Sequence, residues 1–311
     1  MRVLACPASL KGVLTAVEAA AALGRGARRV AGIDVVESPV ADGGDGTLEV
    51  LALARGGVWH GADVHDGFGR PRRARWLELE DGRAVVEAAE AIPLDPGRLD
   101  PFAASSRGLG ELVAAVGSPR ELVVCLGGTA NVDGGRGFRE VVRELPAPTR
   151  VACDVRSPLL DAARVFGPQK GASPAAVEAL EARLLALTEL APYASLPGAG
   201  AAGGLGAALV SLGAELVAGA QLVLGEIGFD PRGFDLVVTG EGAVDRTTGE
   251  GKAPGEVARR CAEAGVRCVV FGGRVAAPVE GAETVELSGD PARAADDLAA
   301  LGETLARSLS P

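Results

Sequence analysis

Strand-like hydrophobic segments that each lead into a glycine-rich turn and a helical pattern occur at both ends of the chain. RVLACP and IDVVESPV open the sequence, and FDLVVTGEG and VRCVVFGG repeat the arrangement after residue 225. A capping box, Thr15 with Glu18, predicts a helix from about Thr15 to Val30. Strands that alternate with helices favour a parallel sheet covered on both faces. Residues 1–57 and 226–311 are therefore predicted to form one discontinuous α/β domain.

Between these ends the pattern changes at about Val58. Short segments of alternating hydrophobicity, VWHGADV, RARWLELE and RAVVEAA, are joined by glycine-containing turns and indicate antiparallel strands. The chain is 48% hydrophobic and contains 45 glycines, which favours closely packed α/β layers. Residues 58–225 are accordingly predicted to be a second α/β domain inserted into the first.

Charge and cysteine content exclude several classes of function. The net charge of −10 provides no basic surface for nucleic acid or an anionic membrane. A long apolar region around residues 196–225 contains too many glycines for a membrane helix. The five cysteines lie mostly in apolar runs and the two histidines lack metal-binding spacing, so neither a disulfide framework nor zinc is expected. The sequence predicts a cytoplasmic protein with no nucleic-acid or membrane partner.

Only three of the 31 basic side chains are lysines, and all three lie in similar surroundings. Lys11, Lys170 and Lys252 each stand beside a glycine or at the start of a predicted helix. Free backbone N–H groups and the helix dipole favour anions at such places. A lysine ammonium is also a flexible point charge that can follow a moving phosphoryl group, whereas the planar arginine suits fixed contacts. The lysines therefore predict phosphate binding.

Carboxylates occupy similar places, mostly just after a predicted strand: Asp42, Asp45, Asp133, Asp154, Glu241 and Asp245. In open α/β sheets, ligands bind at the carboxyl ends of the strands. Acidic side chains repel phosphate unless a cation bridges them, and Mg²⁺ is the usual bridge. For any single acid the alternative is a turn or a helix cap. Together the lysines and acids predict a site for a phosphate compound and Mg²⁺.

The segment LPGAGAAGGLG has the spacing of a dinucleotide fingerprint at Gly198, Gly200 and Gly203. A proline precedes it directly and no strand pattern leads into it, so a nicotinamide site is not supported. Two interpretations of these glycines remain open: a loop that binds phosphate, and a loop that packs closely at the start of a helix. The sequence around Lys252 also lacks the Walker A pattern, because an arginine and an alanine occupy two of its required positions.

Six segments in this order resemble the bacterial type-1 glycerate kinases: SPVADGGDGT, VACDVRSPL, VFGPQKGAS, LPGAGAAGGLGAAL, DLVVTGEGAVD and GKAP. The similar region extends from about Pro7 to Gly273. The resemblance implies a Rossmann- or flavodoxin-like parallel-sheet domain and an inserted α/β domain that resembles the restriction-endonuclease fold. It also implies transfer of the γ-phosphoryl group of ATP to D-glycerate with Mg²⁺, chiefly giving 2-phosphoglycerate. The sequence leaves the oligomeric state open, with a homodimer as one possibility.

This chemistry leads to hypotheses about individual residues. Asp42 is the candidate general base for the substrate hydroxyl, with Asp245 as the second choice. The three lysines would hold the ATP phosphates and the glycerate carboxylate, and Lys11 is also placed among the catalytic residues. Asp154 and Glu241 are the expected Mg²⁺ ligands. The other candidates for substrate and phosphate binding are Lys170, Lys252, Asp45, Asp133, Gly200 and Gly203.

Four motif positions depart from the family pattern towards apolar side chains: Ala8, Leu109, Val132 and Ala243. Each lost hydrogen bond to a charged ligand is worth roughly 1.5–3 kcal/mol. Two alternatives therefore stay open: a kinase for a related small hydroxy acid, and a protein that binds nucleotide or hydroxy acid but has lost turnover. The retained acids favour a kinase, because a pure anion sensor has no need for so many carboxylates.

Overall fold

The computed structural model describes residues 1–309 of the 311-residue chain, in which strands and helices alternate. The strands are β1 (Arg2–Ala5), β2 (Asp34–Glu37), β3 (Val58–His65), β4 (Pro71–Glu78), β5 (Arg83–Glu87), β6 (Glu121–Cys125), β7 (Thr149–Cys153), β8 (Glu215–Ala218), β9 (Leu236–Val244), β10 (Cys268–Val275) and β11 (Glu283–Glu286). The helices are α1 (Ala16–Ala27), α2 (Thr47–Arg55), α3 (Ala88–Ala91), α4 (Arg107–Ala115), α5 (Arg136–Val141), α6 (Asp161–Phe166), α7 (Pro174–Leu185), α8 (Ala201–Ser211), α9 (Gly219–Glu226), α10 (Ala253–Ala264) and α11 (Ala294–Leu309).

Contacts within the chain divide it into two compact units. The first unit comprises residues 1–42, residues 49–54 and the chain from residue 220 onward, and the second comprises residues 43–48 and 55–219. By its contacts, the glycine-rich turn that starts at Gly43 belongs to the second unit, although its neighbours in sequence belong to the first. The domain divisions expected after residues 57 and 225 stay a prediction.

The sheet of the first unit has five strands in the order β11-β10-β9-β1-β2, and every neighbouring pair is parallel. Strand β1 lies between β2 and β9, with Val3 opposite Val35 on one side and Leu236 on the other. The first strand of the chain thus pairs with a strand from its last third. This parallel sheet with its intervening helices confirms the predicted α/β class.

Alternating side chains of these strands pack against helices on the two faces of the sheet. Leu4 and Val237 belong to one hydrophobic cluster, which includes Val257 of α10. Val3 and Leu236 belong to another cluster, which also contains residues of α1 and α11. Because successive side chains of a strand point to opposite faces, each strand contributes to both cores.

Helix α1 begins as the sequence predicts. The Thr15 hydroxyl accepts a hydrogen bond from the Glu18 backbone N–H (3.2 Å), and the Glu18 carboxylate accepts one from the Thr15 N–H (2.9 Å), which completes the capping box. The helix ends at Ala27, earlier than expected. Gly26 allows α11 to approach closely, since a Cβ there would lie 1.8 Å from the carbonyl oxygen of Ala299.

The sheet of the second unit has six strands in the order β3-β4-β5-β6-β7-β8. Strands β3, β4 and β5 are antiparallel neighbours, as the alternating segments predict, whereas β5 to β8 pair in parallel. Leu122 and Val124 of β6 pack in one hydrophobic cluster with Leu109 of α4 and Phe138 of α5. The second unit therefore also presents the carboxyl ends of parallel strands at one edge.

The apolar, glycine-rich region after residue 196 forms α8, β8 and α9. Among residues 1–309, no helix combines the length and the apolar character needed to cross a membrane. All five cysteines are buried and free, as their apolar surroundings predict.

Candidate active site

The predicted site residues divide between the two units. Within the first unit, the candidates follow β1 and β2 or lie on and after β9: Lys11, Asp42, Glu241, Asp245 and Lys252. Within the second unit, the candidates lie in the turn before α2, after β6 and β7, and around α8: Asp45, Asp133, Asp154, Lys170, Gly200 and Gly203.

In the first unit, Glu241 of β9 is surrounded by groups that influence its charge. Its carboxylate accepts hydrogen bonds from the buried Thr248 hydroxyl (2.7 Å) and from the Lys252 ammonium (3.4 Å). Burial raises the pKa of Glu241, the Lys252 charge and the Thr248 hydrogen bond oppose this rise, and the nearby negative charge of Asp42 adds to it. The fold thus brings two predicted acids and one predicted lysine together.

Asp245 has a role in the backbone turn that follows β9. It caps the 3₁₀ turn Arg246–Glu250, and its carboxylate accepts hydrogen bonds from the Thr247 hydroxyl (2.5 Å) and the Thr247 N–H (2.8 Å). These bonds, the hydroxyl bond first, lower the pKa of Asp245. A carboxylate held in its ionised form is a weaker proton acceptor. The choice between Asp42 and Asp245 as the general base stays a prediction.

Lys11 lies on an exposed turn after β1. A Cβ at Gly242, beyond Glu241 on β9, would lie 3.7 Å from Leu10 Cα and 3.8 Å from the Lys11 backbone nitrogen, so this turn packs beside the end of β9. Within residues 1–309 the Lys11 ammonium has no hydrogen-bond or ion-pair partner. Lys11 is therefore available to a ligand.

In the second unit, Lys170 is almost completely buried, with 4% of its surface exposed. It ends the short 3₁₀ turn Pro168–Lys170, and its ammonium donates hydrogen bonds to the Asn131 carbonyl oxygen (2.7 Å) and the Thr129 hydroxyl (3.4 Å). Burial lowers the pKa of Lys170 to about 7, although the charge of Asp133 opposes this. An anion that binds beside Lys170 would favour its charged form.

Asp133 is buried in the same region, but its carboxylate contacts protein groups. One oxygen accepts hydrogen bonds from the Ser106 N–H and hydroxyl and from the Gly137 N–H, and the other accepts from the Gly135 N–H and the Asn131 amide. These five bonds tie the loop after β6 to the starts of α4 and α5. A direct contact of Asp133 with a ligand stays a prediction, and its observed bonds are those of a residue that positions the loop.

Glu87, which sequence reasoning did not single out, holds the turn that carries Asp45. Its carboxylate is buried at the end of β5 and accepts hydrogen bonds from the backbone N–H groups of Leu48 (2.6 Å) and Gly46 (3.4 Å). An acidic side chain that ends a buried hydrophobic strand was the available signal, because a buried carboxylate requires donors. Glu87 therefore anchors the start of α2.

The turn with Asp45 packs directly on the loop after β6. A Cβ at Gly127 would lie 2.6 Å from Gly44 Cα, and a Cβ at Gly128 would lie 3.7 Å from the Asp45 Cβ. Gly128 directly precedes Thr129, which accepts the hydrogen bond from Lys170. Asp45 and Lys170 therefore contact the same loop at the carboxyl edge of the second sheet.

The glycines at the start of α8 allow close packing of the backbone. Gly203 has a left-handed φ of +68°, and a Cβ there would lie 2.1 Å from the Asn131 carbonyl oxygen. A Cβ at Gly200 would lie 2.5 Å from the Pro158 carbonyl oxygen. These contacts match the packing alternative of the sequence analysis, and phosphate binding by either glycine stays a prediction.

Asp154 directly follows β7 and lies beside Cys153. Burial, followed by the charge of Asp154, raises the pKa of the Cys153 thiol to about 11. Among the described residues, no three acidic, cysteine or histidine side chains form a group that could hold a metal ion on their own. The assignment of Asp154 and Glu241 as Mg²⁺ ligands stays a prediction.

Three of the four positions that depart from the family pattern lie inside the protein. Leu109 and Val132 are fully buried in the hydrophobic cores of the second unit, and Ala8 is buried in the first unit. Ala243 is exposed on β9. The apolar side chains at positions 8, 109 and 132 thus contribute to packing.

Comparison with known proteins gives consistent matches over most of the chain. A model of the glycerate kinase family matches residues 3–145 and 143–290. A glycerate 2-kinase of Escherichia coli K12 is 35% identical over 305 residues, which cover 82% of this chain and 80% of that protein. A glycerate kinase of Bacillus subtilis 168 is 34% identical over 312 residues, which cover 83% of this chain and 81% of that protein. A crystal structure of a protein provisionally named glycerate kinase 2, from Salmonella typhimurium LT2, superposes with a TM-score of 0.80 at 28% identity and covers 99% of this chain and 98% of that one.

Proposed function

Because this chain belongs to the glycerate kinase family, we propose that it transfers the γ-phosphoryl group of ATP to D-glycerate and forms 2-phosphoglycerate. The observation that carries this proposal is the family match, which extends from residue 3 to residue 290. The name of the Escherichia coli relative supports the 2-hydroxyl as the acceptor. The use of ATP follows from membership of a kinase family.

The first unit offers a proton acceptor and two cations for this reaction. Phosphoryl transfer depends mainly on positioning and on neutralisation of the charge around the moving group. Lys11, whose ammonium has no partner among residues 1–309, and Lys252 would bind phosphate oxygens. Asp42 would accept the proton of the substrate hydroxyl, and the lowered pKa of Asp245 supports this order of the two acids.

The second unit would bind the substrate carboxylate or a phosphate through Lys170. Water competes little for a buried ammonium, so an anion that reaches it gains a strong charge-assisted hydrogen bond. Asp45 contacts the same loop that holds Lys170 and would help to orient the substrate. The remaining proposed binding residues of this unit are Asp133, Gly200 and Gly203.

Magnesium fits the acids of the first unit. Burial and the charge of Asp42 raise the pKa of Glu241, so a divalent cation beside this carboxylate would relieve an unfavourable concentration of negative charge. A magnesium site needs only one or two protein carboxylates, since Mg²⁺ keeps several water ligands and binds substrate phosphates. When bound, it neutralises charge on the phosphate oxygens. Glu241 is the residue of the first unit proposed to bind Mg²⁺, and Asp154 is the proposed Mg²⁺ ligand of the second unit.

Five finer assignments belong to the same proposal. The ordered motifs support membership of the type-1 subclass, a Rossmann- or flavodoxin-like first unit and a second unit that resembles restriction endonucleases. Buried free thiols support a reducing compartment, the cytoplasm. A homodimer is the proposed assembly, and light scattering on the purified chain would test it.

A coupled assay of ADP formation tests the activity. D-Glycerate should stimulate ADP formation well above the rate without acceptor, and ³¹P NMR should identify 2-phosphoglycerate as the product. Stimulation by another small hydroxy acid, but not by D-glycerate, would instead support the alternative of a different acceptor. Binding of ATP without any acceptor-dependent ADP formation would contradict the kinase assignment for this chain.

A further inference from the structure

The side-chain amide of Asn131 is held in one orientation. Its nitrogen donates hydrogen bonds to the Asp133 carboxylate (2.9 Å) and to the Ala202 carbonyl oxygen (3.0 Å). A carbonyl oxygen can only accept, and so can an ionised carboxylate, so exchanging the amide oxygen and nitrogen would lose both bonds. The orientation of the amide is therefore determined by its neighbours.

This orientation leaves the amide oxygen of Asn131 without a donor. Asn131 is fully buried, and no described residue donates a hydrogen bond to its Oδ1 atom. A buried acceptor without a donor is unfavourable, and native proteins contain few of them. Such an atom indicates a group that is satisfied by something other than the protein.

Two donors accompany this acceptor. The Lys170 ammonium has three N–H groups and donates to two described partners, the Asn131 carbonyl oxygen and the Thr129 hydroxyl. The Thr129 oxygen accepts from Lys170, and its own hydrogen has no acceptor among residues 1–309. A cationic donor and a hydroxyl donor thus belong to residues that are bonded to each other, and the cationic donor is also bonded to the backbone of Asn131, whose side chain carries the unpaired acceptor.

We propose that Thr129, Asn131 and Lys170 form the recognition site for the hydroxy-acid substrate. Lys170 and Thr129 bind its carboxylate, and Asn131 Oδ1 accepts a hydrogen bond from the hydroxyl that is not phosphorylated. The inference rests on the proposed function, since it identifies the acceptor as an acid with a second hydroxyl. If the 2-hydroxyl is phosphorylated, Asn131 Oδ1 accepts a hydrogen bond from the 3-hydroxyl. The site then prefers D-glycerate to D-lactate, which differs only in lacking the 3-hydroxyl.

From this assignment we expect an acid with a single hydroxyl to be a poor substrate. A site that hydrogen-bonds a substrate hydroxyl discriminates strongly against the analogue without it, because its own buried polar group is then unpaired. Since Lys170 and Asn131 are both buried, the substrate reaches them only after a local opening of the second unit. An internal water on Asn131 Oδ1 is the competing account, and it predicts no such selectivity.

The test compares the affinities of D-glycerate and D-lactate for the full-length chain. Isothermal titration calorimetry, with and without a non-hydrolysable ATP analogue, gives the ratio of the two dissociation constants. The wild type should prefer D-glycerate by at least about tenfold, which corresponds to about 1.4 kcal/mol. In Asn131→Leu the ratio should fall close to one. General damage to the fold weakens both ligands alike, so the ratio isolates the hydroxyl contact.

Equal affinities of the wild type for the two acids would overturn the proposal without any variant. An unchanged ratio in Asn131→Leu would overturn it as well. If Asn131→Leu does not fold, the smaller Asn131→Ser serves the same purpose, because it also lacks the amide oxygen. Turnover of D-glycerate by the wild type separates the two conclusions: turnover with an unchanged ratio rejects only the role of Asn131, and the absence of turnover rejects the proposed function.

Discussion

Replacing Lys170 by methionine should change how the stability of the second unit depends on pH. Burial lowers the pKa of this lysine to about 7 in the folded chain, against an ordinary value of 10.5. Between these values the unfolded chain binds more protons than the folded chain, so the free energy of unfolding rises with pH. Below pH 7 the ammonium is charged in both states, and the penalty of burying it is complete. The penalty disappears as the pH approaches 10.5.

The expected size of this effect follows from the two pKa values. Between pH 7 and pH 9 the wild-type chain should gain about 2 kcal/mol in free energy of unfolding from Lys170 alone. Lys170→Met has no such ionisation, while both proteins share all the other titrating groups. The informative quantity is therefore the difference between the two proteins at each pH.

Urea unfolding followed by tryptophan fluorescence measures the free energy of unfolding of the second unit in both proteins. The only two tryptophans, Trp59 and Trp76, both lie in the second unit. Saturating D-glycerate should shift the increase in the free energy of unfolding to higher pH, because a bound anion stabilises the charged form of Lys170. Equal gains for wild type and Lys170→Met between pH 7 and pH 9 would refute the buried, charge-perturbed lysine.

Three further substitutions test the roles of individual groups. Asp42→Asn should lower kcat by roughly 10² while ATP affinity hardly changes, as expected for a general base; partial rescue by added Mg²⁺ would instead indicate a metal ligand. Glu87→Gln should raise the KM for D-glycerate more than it lowers kcat, because an amide places a donor against backbone N–H groups. Glu111→Gln, which changes a carboxylate bonded to a histidine and an arginine, serves as its control and should leave both constants unchanged. Thr248→Val should lower kcat/KM by about tenfold, since it removes the hydroxyl group that donates a hydrogen bond to Glu241. Thr248→Ser keeps this hydroxyl and should have a kcat/KM near that of the wild type. Equal losses of kcat/KM in both variants would assign Thr248 to packing alone.

The sequence by itself determined the features that depend on local pattern. Strand and helix periods, glycine-rich turns and the capping box at Thr15 and Glu18 are properties of short segments, so the α/β class and the antiparallel strands after Val58 could be predicted. The small number of lysines also singled out Lys170 and Lys252 in the sequence. In the structure both donate hydrogen bonds to buried or partly buried polar groups. These signals require no knowledge of distant contacts.

Only the tertiary structure decided which polar groups are available to a ligand. Asp133 is a predicted binding residue, and only the structure shows that its carboxylate accepts five hydrogen bonds from the protein. The roles of Glu87 and Asn131 were not recognised in the sequence, because they involve groups far away along the chain: Glu87 accepts from the Leu48 N–H, 39 residues away, and the Asn131 backbone carbonyl accepts from Lys170, also 39 residues away. Burial and hydrogen bonding at such separations arise only when strands and loops pack together. The same packing lowers the pKa of Lys170, since a lysine is an ordinary exposed cation until the surrounding loops remove it from water.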